Sequence, residues 1–480
     1  MTGRLTPTQL NRLTLVAAGG AAVVIGSGTA INVGFAAAGT VAIGVLVTFA
    51  RNAVVLLYLL VVALFAEIVS LNGIPISRVV APIALLLLVL LAARGRLRIP
   101  RSTTLLWITA YSVWALASGL WTVDLSGTAF LLGSLLIALT YLVAFAGLVT
   151  SNSHLERVLM AIAIAAFATG VFAIAAFLLG ASEELQLGRA EGGAGDPNFF
   201  ALYEIMALPL VFVLAGQART RFRRLFLFGT VLVIVGAVIT TVSRGGLLTL
   251  AVLLLLLLVL PARRTIFRSR GEKAALATLV AVGVLLALQF GSDTILPRVE
   301  SVFAARDSAA LGAEGRGNGR LNIWLGAFTA IKERPLQGLG YGGFQPTSTE
   351  LIQRTPGVDL TSYELHPRGQ PAHSVYIGTM AELGLTGLVL LLGMIASAYA
   401  SLRRTAARAR ELGNTFVMRV SKALVLSLLG WAVASFFLSS ETSRILWIVL
   451  GLTLAIPTLL PDARSGRTAT PATAAPAPEE

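Results

Sequence analysis

The sequence contains no cysteine among its 480 residues. Disulfide bonds, thiolate catalysis and cysteine-ligated metal sites are therefore excluded. The chain also lacks a Gly-x-x-x-x-Gly-Lys-Ser/Thr loop, an Asp-x-Asp pair and a His-Glu-x-x-His motif, which argues against an ATP-driven pump and against these metal-dependent enzymes. We expect a chemistry that needs neither a metal nor another cofactor.

Charge is scarce as well. Only 12% of the residues are charged, about half of what soluble domains carry, while 56% are hydrophobic. We count fourteen apolar runs near the length that crosses a bilayer, at 13–30, 32–50, 53–71, 77–93, 103–121, 128–149, 155–180, 197–216, 225–242, 246–260, 274–292, 374–400, 422–438 and 444–460. The fold class is all-α: a polytopic transmembrane bundle of about 12–14 spans.

The net charge of +14 could indicate a nucleic-acid partner. The basic residues, however, lie in short loops between apolar runs, as the positive-inside rule expects. With the N-terminus in the cytoplasm, the inside loops include basic clusters near 94–101, 219–224, 263–273 and 403–410. We therefore expect a lipid bilayer and no nucleic acid as partner, and both termini in the cytoplasm.

The longest polar stretch separates two parts of the predicted bundle. We expect an N-terminal transmembrane bundle over 1–292, an extracytoplasmic loop over 293–372, C-terminal transmembrane helices over 373–460 and a disordered cytoplasmic tail over 461–480. Within the loop, 320–333 reads as an amphipathic helix, because Leu321, Trp324, Leu325, Phe328 and Ile331 recur at helical spacing. Pro335 ends this helix.

Two arginines break the charge rule in the predicted outer loops, Arg189 and Arg244. An arginine at the edge of the hydrocarbon is costly and marks a functional site by default. The alternative is a side chain that extends from a helix end to the interface, which fits an inside loop better.

Arg320 follows the glycine-rich run 315–319 and is expected to begin the loop helix. A cation there opposes the helix dipole. Free backbone N–H groups at the helix start together with the guanidinium would bind an anion. The alternative is a solvated arginine on a loop.

The sequence has three histidines, His154, His366 and His373. His373 should lie in the first turn of the span at 374–400, where the helix N-terminus disfavours the imidazolium form. A neutral ring could accept a proton. The alternative is an interfacial histidine satisfied by the backbone.

Several polar residues near the outer face are further candidates. Asp196, Pro197 and Asn198 form a plausible helix start, and capping alone would explain them. Glu382 lies within a span, as a buried partner or beside a water-filled cavity. The cases for Glu67, Glu204 and Glu441 are weaker.

At these residues the chain resembles the O-antigen ligase/polymerase superfamily of bacterial membrane enzymes. The matching elements, in chain order, are Gly195-Asp196-Pro197-Asn198 with Ala201, Ser243-Arg244-Gly245, Arg320-x-x-x-Trp324 running into Pro335-Leu336-x-Gly338-x-Gly340, and Ala372-His373-Ser374-x-Tyr376 followed by Glu382-x-Gly384-x-x-Gly387. The chain departs from the family at Ser374, where asparagine is common.

The resemblance implies a metal-independent, inverting glycosyl transfer at the outer face of the bacterial cytoplasmic membrane. The donor would be an undecaprenyl-pyrophosphate-linked glycan, and the acceptor a hydroxyl of a lipid or polysaccharide of the cell surface, such as lipopolysaccharide. Arg244, Arg320 and His373 would be catalytic: the arginines hold the pyrophosphate and His373 acts on the acceptor hydroxyl. Substrate-binding residues would be Arg189, Asn198, Trp324, Tyr376 and Glu382.

Other functions remain open from the residues alone. A polymerase of the same superfamily would use another lipid-linked repeat as acceptor, and a ligase could glycosylate a protein. A secondary transporter would use the glutamates as coupling sites, but the sequence shows no internal repeat, and a folded outer loop of this size is unusual in transporters.

Topology gives the first testable prediction. Because the chain is free of cysteine, single cysteines can be introduced and labelled. We expect an impermeant maleimide to label position 350 in intact cells and positions 265 and 408 only after permeabilisation. Labelling of position 350 only after permeabilisation would overturn the topology.

Overall fold

A computed structural model describes residues 53–71, 74–180, 189–259, 266–267, 269–278, 280–282, 285, 316–356, 358 and 368–461. The predicted spans at 13–30 and 32–50, most of the one at 274–292, His366 and the C-terminal tail lie outside these residues. The bounds of the predicted domains remain a prediction.

The described chain is built of helices joined by short turns. The helices are α1 (Val55–Phe65), α2 (Ile76–Ala93), α3 (Thr103–Ala117), α4 (Leu125–Leu148), α5 (Asn152–Leu178), α6 (Pro197–Gln217), α7 (Arg221–Thr240), α8 (Arg244–Val259), α9 (Arg316–Glu333), α10 (Phe344–Arg354), α11 (Val375–Glu411), α12 (Thr415–Ala434) and α13 (Arg444–Ala455). Two-residue strands β1 (Ser70–Leu71) and β2 (Ile74–Pro75) form an antiparallel hairpin between α1 and α2. The all-α fold class is confirmed.

Eight of the described helices are long and apolar enough to cross a membrane. Shorter apolar helices lie at Val55–Phe65, Arg244–Val259 and Arg444–Leu459. Each described helix of this set coincides with one of the runs predicted from the sequence. The protein is a multi-spanning membrane protein.

Helix α6 lies at the centre of the bundle. Its apolar residues surround the whole helix, which is typical of a helix buried on all sides, and it packs against α5, α7, α8 and α12. Asp196 caps its N-terminus: one carboxylate oxygen accepts hydrogen bonds from the amides of Asn198 at 2.7 Å and Phe199 at 3.0 Å. The predicted cap is confirmed, and it fixes Asn198 at the first turn of the central helix.

The predicted loop helix exists, but its start was wrong. Helix α9 begins at Arg316 rather than Arg320, because the glycine-rich run continues the helix by one turn. Arg320 therefore lies in the second turn, where its amide is not one of the free N–H groups of a helix start. Any anion at Arg320 must be bound by the guanidinium.

The apolar residues that predicted α9 are not those buried most deeply. Leu321 and Phe328 are 55% and 43% exposed, whereas Ile323, Ala327 and Ala330 are buried. Small residues on the buried face allow α9 to approach α10 closely. Helices α9 and α10 share a small core of their own that also contacts the start of α11.

Helix α11 is interrupted at Gly384, whose φ of 68° and ψ of −172° are not helical. The segment 335–342 crosses α11 at this break. The amide of Leu339 donates to Ala381 O at 3.0 Å, and the amide of Gly340 donates to Glu382 O at 2.8 Å. A Cβ on Gly384 would lie 2.2 Å from the Leu336 carbonyl. Glycine is therefore required here, and the crossing fixes the loop on the bundle.

Candidate active site

The two segments that carry Arg244 and His373 share an unusual backbone geometry. Val242 and His373 have φ of 48° and 49°, in the left-handed region. This region is unfavourable for residues other than glycine, and especially for a β-branched valine. Both residues lie two positions before the start of a helix, and such strain is concentrated at functional sites.

Arg244 begins helix α8. The preceding Ser243 hydroxyl accepts a hydrogen bond from the Gly246 amide at 3.1 Å and donates to Asn198 Oδ1 at 2.7 Å. Ser243 thus caps α8 and ties it to the start of the central helix. The Arg244 side chain remains exposed.

Arg189 reaches the same point from the segment before α6. Its Nε donates to Thr241 O at 3.1 Å, and its Nη2 donates to Asn198 Oδ1 at 3.2 Å. The amide oxygen of Asn198 therefore accepts hydrogen bonds from both Arg189 and Ser243. Three segments that are distant in sequence converge on one side chain.

The three arginines line one cavity of about 230 Å³. Its lining includes Arg189, Arg244 and Arg320, with an apolar wall from Leu202, Ile205, Ala434, Phe437 and Leu438. The pKa of Arg320 is lowered, first by burial and second by the nearby Arg244 guanidinium. The cavity combines the positive charge of the arginines with an apolar wall, and this combination suits a lipid-linked anion.

His373 was predicted in the first turn of a helix, but it precedes α11, which begins at Val375. The indole Nε1 of Trp324 donates to the carbonyl of Ala372 at 2.8 Å. Since Trp324 and Arg320 lie on successive turns of α9, this bond fixes the position of the histidine segment relative to Arg320.

The pKa of His373 is lowered, in the direction expected from the sequence. The causes are burial first and the Arg320 guanidinium second, while Asp196 acts in the opposite direction. Both main causes disfavour the imidazolium form. The lowered pKa favours the neutral ring, which is able to accept a proton.

His373 lines a second cavity of about 730 Å³. Asn198 and Leu438 line both cavities, so the two adjoin one another. The larger one also contains acidic side chains, namely Asp124, Asp196, Glu382 and Glu441.

Two further predicted site residues have partners within the protein. The Tyr376 hydroxyl donates to Ala432 O at 2.7 Å, and its ring lies 4.6 Å from that of Phe436. Glu382 Oε2 accepts a hydrogen bond from the Gly342 amide at 2.9 Å and lines the larger cavity. Their roles in substrate binding remain predictions.

The sequence argument missed several residues of the larger cavity. Arg78 and Arg368 line it and are exposed. Arg78 was detectable, because it is a further cation at the outer end of a predicted span, as is Arg444. The sequence gave no indication that Asp124 lines a cavity. In the structure its carboxylate caps a helix by accepting hydrogen bonds from the amides of Ser126 and Gly127.

Residues 229–392 match the family model described as O-antigen ligase. This match confirms the resemblance to the O-antigen ligase superfamily. Six of the predicted site residues lie within it: Arg244, Arg320, Trp324, His373, Tyr376 and Glu382. No curated protein matches the chain significantly.

The position of Arg320 predicts the acid–base behaviour of His373. Removing the positive charge in Arg320→Gln should raise the pKa of His373, because a nearby cation disfavours a second one. NMR titration of ring-labelled histidine, assigned with His373→Ala, measures the shift. Arg354→Gln, on exposed α10, is the matched control and should leave the pKa unchanged. A His373 pKa at or above the ordinary histidine value in the unmodified protein would contradict the geometry.

Proposed function

We propose that this member of the O-antigen ligase superfamily transfers a glycan from an undecaprenyl-pyrophosphate carrier to an acceptor hydroxyl. The transfer is metal-independent and inverts the configuration at the reacting sugar carbon. One observation carries the proposal: a cavity lined by three arginines adjoins a cavity lined by His373.

The arginine cavity would bind the pyrophosphate. Guanidinium groups form paired hydrogen bonds to phosphate oxygens, and the charge on the pyrophosphate increases as the glycosidic bond breaks. Arg244 and Arg320 stabilise this charge at the transition state, while Arg189 is oriented through Asn198. The apolar wall accommodates the first isoprene units of the carrier.

His373 would act on the acceptor. The acceptor oxygen attacks the anomeric carbon of the donor sugar and forms the new glycosidic bond. The bond from that carbon to the pyrophosphate oxygen breaks, and its electron pair leaves with the pyrophosphate. The hydroxyl proton passes to the His373 ring. Because the acceptor and the leaving group occupy separate, adjoining cavities, attack from the side opposite the leaving group accounts for inversion.

The site would lie at the outer face of the bacterial cytoplasmic membrane, with both termini in the cytoplasm. Support comes from the charge distribution along the sequence: α6, α8 and α11 all begin at the face that the positive-inside rule assigns to the exterior. Lipid-linked glycans and surface-polysaccharide acceptors would meet there.

A polymerase of the same superfamily would use this arrangement with a second lipid-linked repeat as the acceptor. The family match supports ligases and polymerases together. The identity of the acceptor, rather than the chemistry of the step, distinguishes the two.

The proposal predicts how substitution of each of the three catalytic residues affects glycan transfer and donor binding. His373→Ala should reduce transfer by about 10²–10⁴-fold and leave binding of the lipid-linked donor intact. Arg244→Lys and Arg320→Lys keep the charge but lose the paired hydrogen bonds, and each should reduce transfer by about 10²-fold or more. Transfer is measured on purified protein in nanodiscs, in the presence of EDTA.

Two variants outside the proposed site serve as controls. Arg354→Lys changes an exposed arginine of the same outer segment, which pairs with Glu333 and Glu350, and His154→Ala changes a histidine at the start of α5; both should retain activity. Near-normal transfer by His373→Ala, or a requirement for an added divalent cation, would contradict the mechanism.

A further inference from the structure

The larger cavity contains four carboxylates, and three of them accept hydrogen bonds from backbone amides of other residues. Asp124 and Asp196 cap α4 and α6, and Glu382 accepts the Gly342 amide. These structural roles explain the presence of the three carboxylates. In the described chain they are spread around the cavity rather than grouped as metal ligands.

Glu441 differs from the other three. It lies in the turn between α12 and α13 and lines the cavity together with His373. Among the described residues, only its own backbone amide donates a hydrogen bond to its carboxylate. Burial raises the pKa of Glu441, because it removes water from the carboxylate. Ligand hydroxyls that donate hydrogen bonds to this carboxylate would replace the lost water contacts.

The nearest cation in sequence is used elsewhere. Arg444, three residues after Glu441, pairs with Glu67 at the end of α1. Glu67 also accepts hydrogen bonds from Ser77 Oγ at 3.0 Å and the Tyr203 hydroxyl at 3.2 Å. Arg444 thus has Glu67 as its ion-pair partner, and the Glu441 carboxylate remains available to the cavity.

The turn holds Glu441 in place. Trp447 Nε1 donates to the Glu441 carbonyl at 2.8 Å, and the Ser435 and Ser440 hydroxyls are 3.0 Å apart. The carboxylate is therefore a preorganised hydrogen-bond acceptor on the wall of the cavity that also presents the His373 ring.

We propose that Glu441 binds the acceptor by accepting hydrogen bonds from hydroxyls of an uncharged sugar, next to the hydroxyl that reacts. This inference rests on the proposed function, since it assigns the acceptor class of the same site. A carboxylate that accepts from neighbouring hydroxyls orients the sugar, while His373 receives the proton of the reacting hydroxyl.

The charge of the cavity decides between neutral and anionic acceptors. Four carboxylates and two guanidinium groups, those of Arg78 and Arg368, line it. When ionised, Glu441 places a negative charge on the cavity wall that also presents His373. A uronic acid or a phosphorylated sugar at the reacting end would be repelled, whereas a neutral hexose would not.

The test compares Glu441→Gln with the unmodified protein in nanodiscs. Two alkyl disaccharides are used that differ only in the terminal sugar, a hexose or the corresponding uronic acid. Calorimetry measures their affinity, and transfer assays with the lipid-linked donor give KM and kcat. The unmodified protein should bind the hexose glycoside at least about tenfold more tightly. Glu441→Gln should weaken hexose binding by about 10- to 100-fold and reduce the ratio between the affinities for the hexose and the uronic acid glycosides. The kcat at saturating acceptor should stay within about twofold.

Glu350→Gln, an exposed glutamate of α10 outside the cavity, is the matched control and should change neither affinity. Equal hexose affinity in Glu441→Gln, a preference of the unmodified protein for the uronic acid, or binding of neither glycoside overturns the inference. Failure of the proposed function looks different: the unmodified protein would then transfer glycan to no acceptor, including those in extracts of its own membranes.

Discussion

The site is built around the repulsion of like charges. Arg189, Arg244 and Arg320 line one small cavity, and no aspartate or glutamate among the described residues lines it with them. Burial and the nearby Arg244 guanidinium lower the pKa of Arg320, as expected where cations are brought together. Asn198 and the strained turn at Val242 hold the segments of Arg189 and Arg244 together. Under the proposed function, the pyrophosphate of the donor would offset the positive charge of this cavity.

The same constraint explains how the segment that carries α9 and α10 is fixed to the membrane bundle. Arg320 is useful only if α9 has a defined position relative to α8, and two contacts provide it. Trp324 bonds to the carbonyl beside His373, and the segment 335–342 crosses α11 at Gly384. The segment that carries α9 and α10 thus forms one wall of the site, while the central helix α6 and the turn at Glu441 form others.

The sequence predicted the helices, the Asp196 cap and the two exceptional arginines, because length, hydropathy and charge bias are local properties. It placed Arg320 at a helix start, whereas the glycines at 317 and 319 continue the helix. It did not indicate which face of α9 is buried, because that depends on the packing of small α9 residues against α10. The crossing at Gly384 and the left-handed His373 depend on contacts between distant segments, which periodicity does not report. Arg78 was within reach of the charge rule and was overlooked.

The central claim is that the arginine cavity recognises a lipid-linked pyrophosphate without a metal ion. The most direct measurement is the affinity of the purified protein, in EDTA, for undecaprenyl pyrophosphate and for undecaprenyl monophosphate. We expect the pyrophosphate to bind about tenfold or more tightly, and Arg320→Lys to remove most of that difference. Equal affinity for the two lipids, or a preference that survives in both Arg244→Lys and Arg320→Lys, would contradict the account.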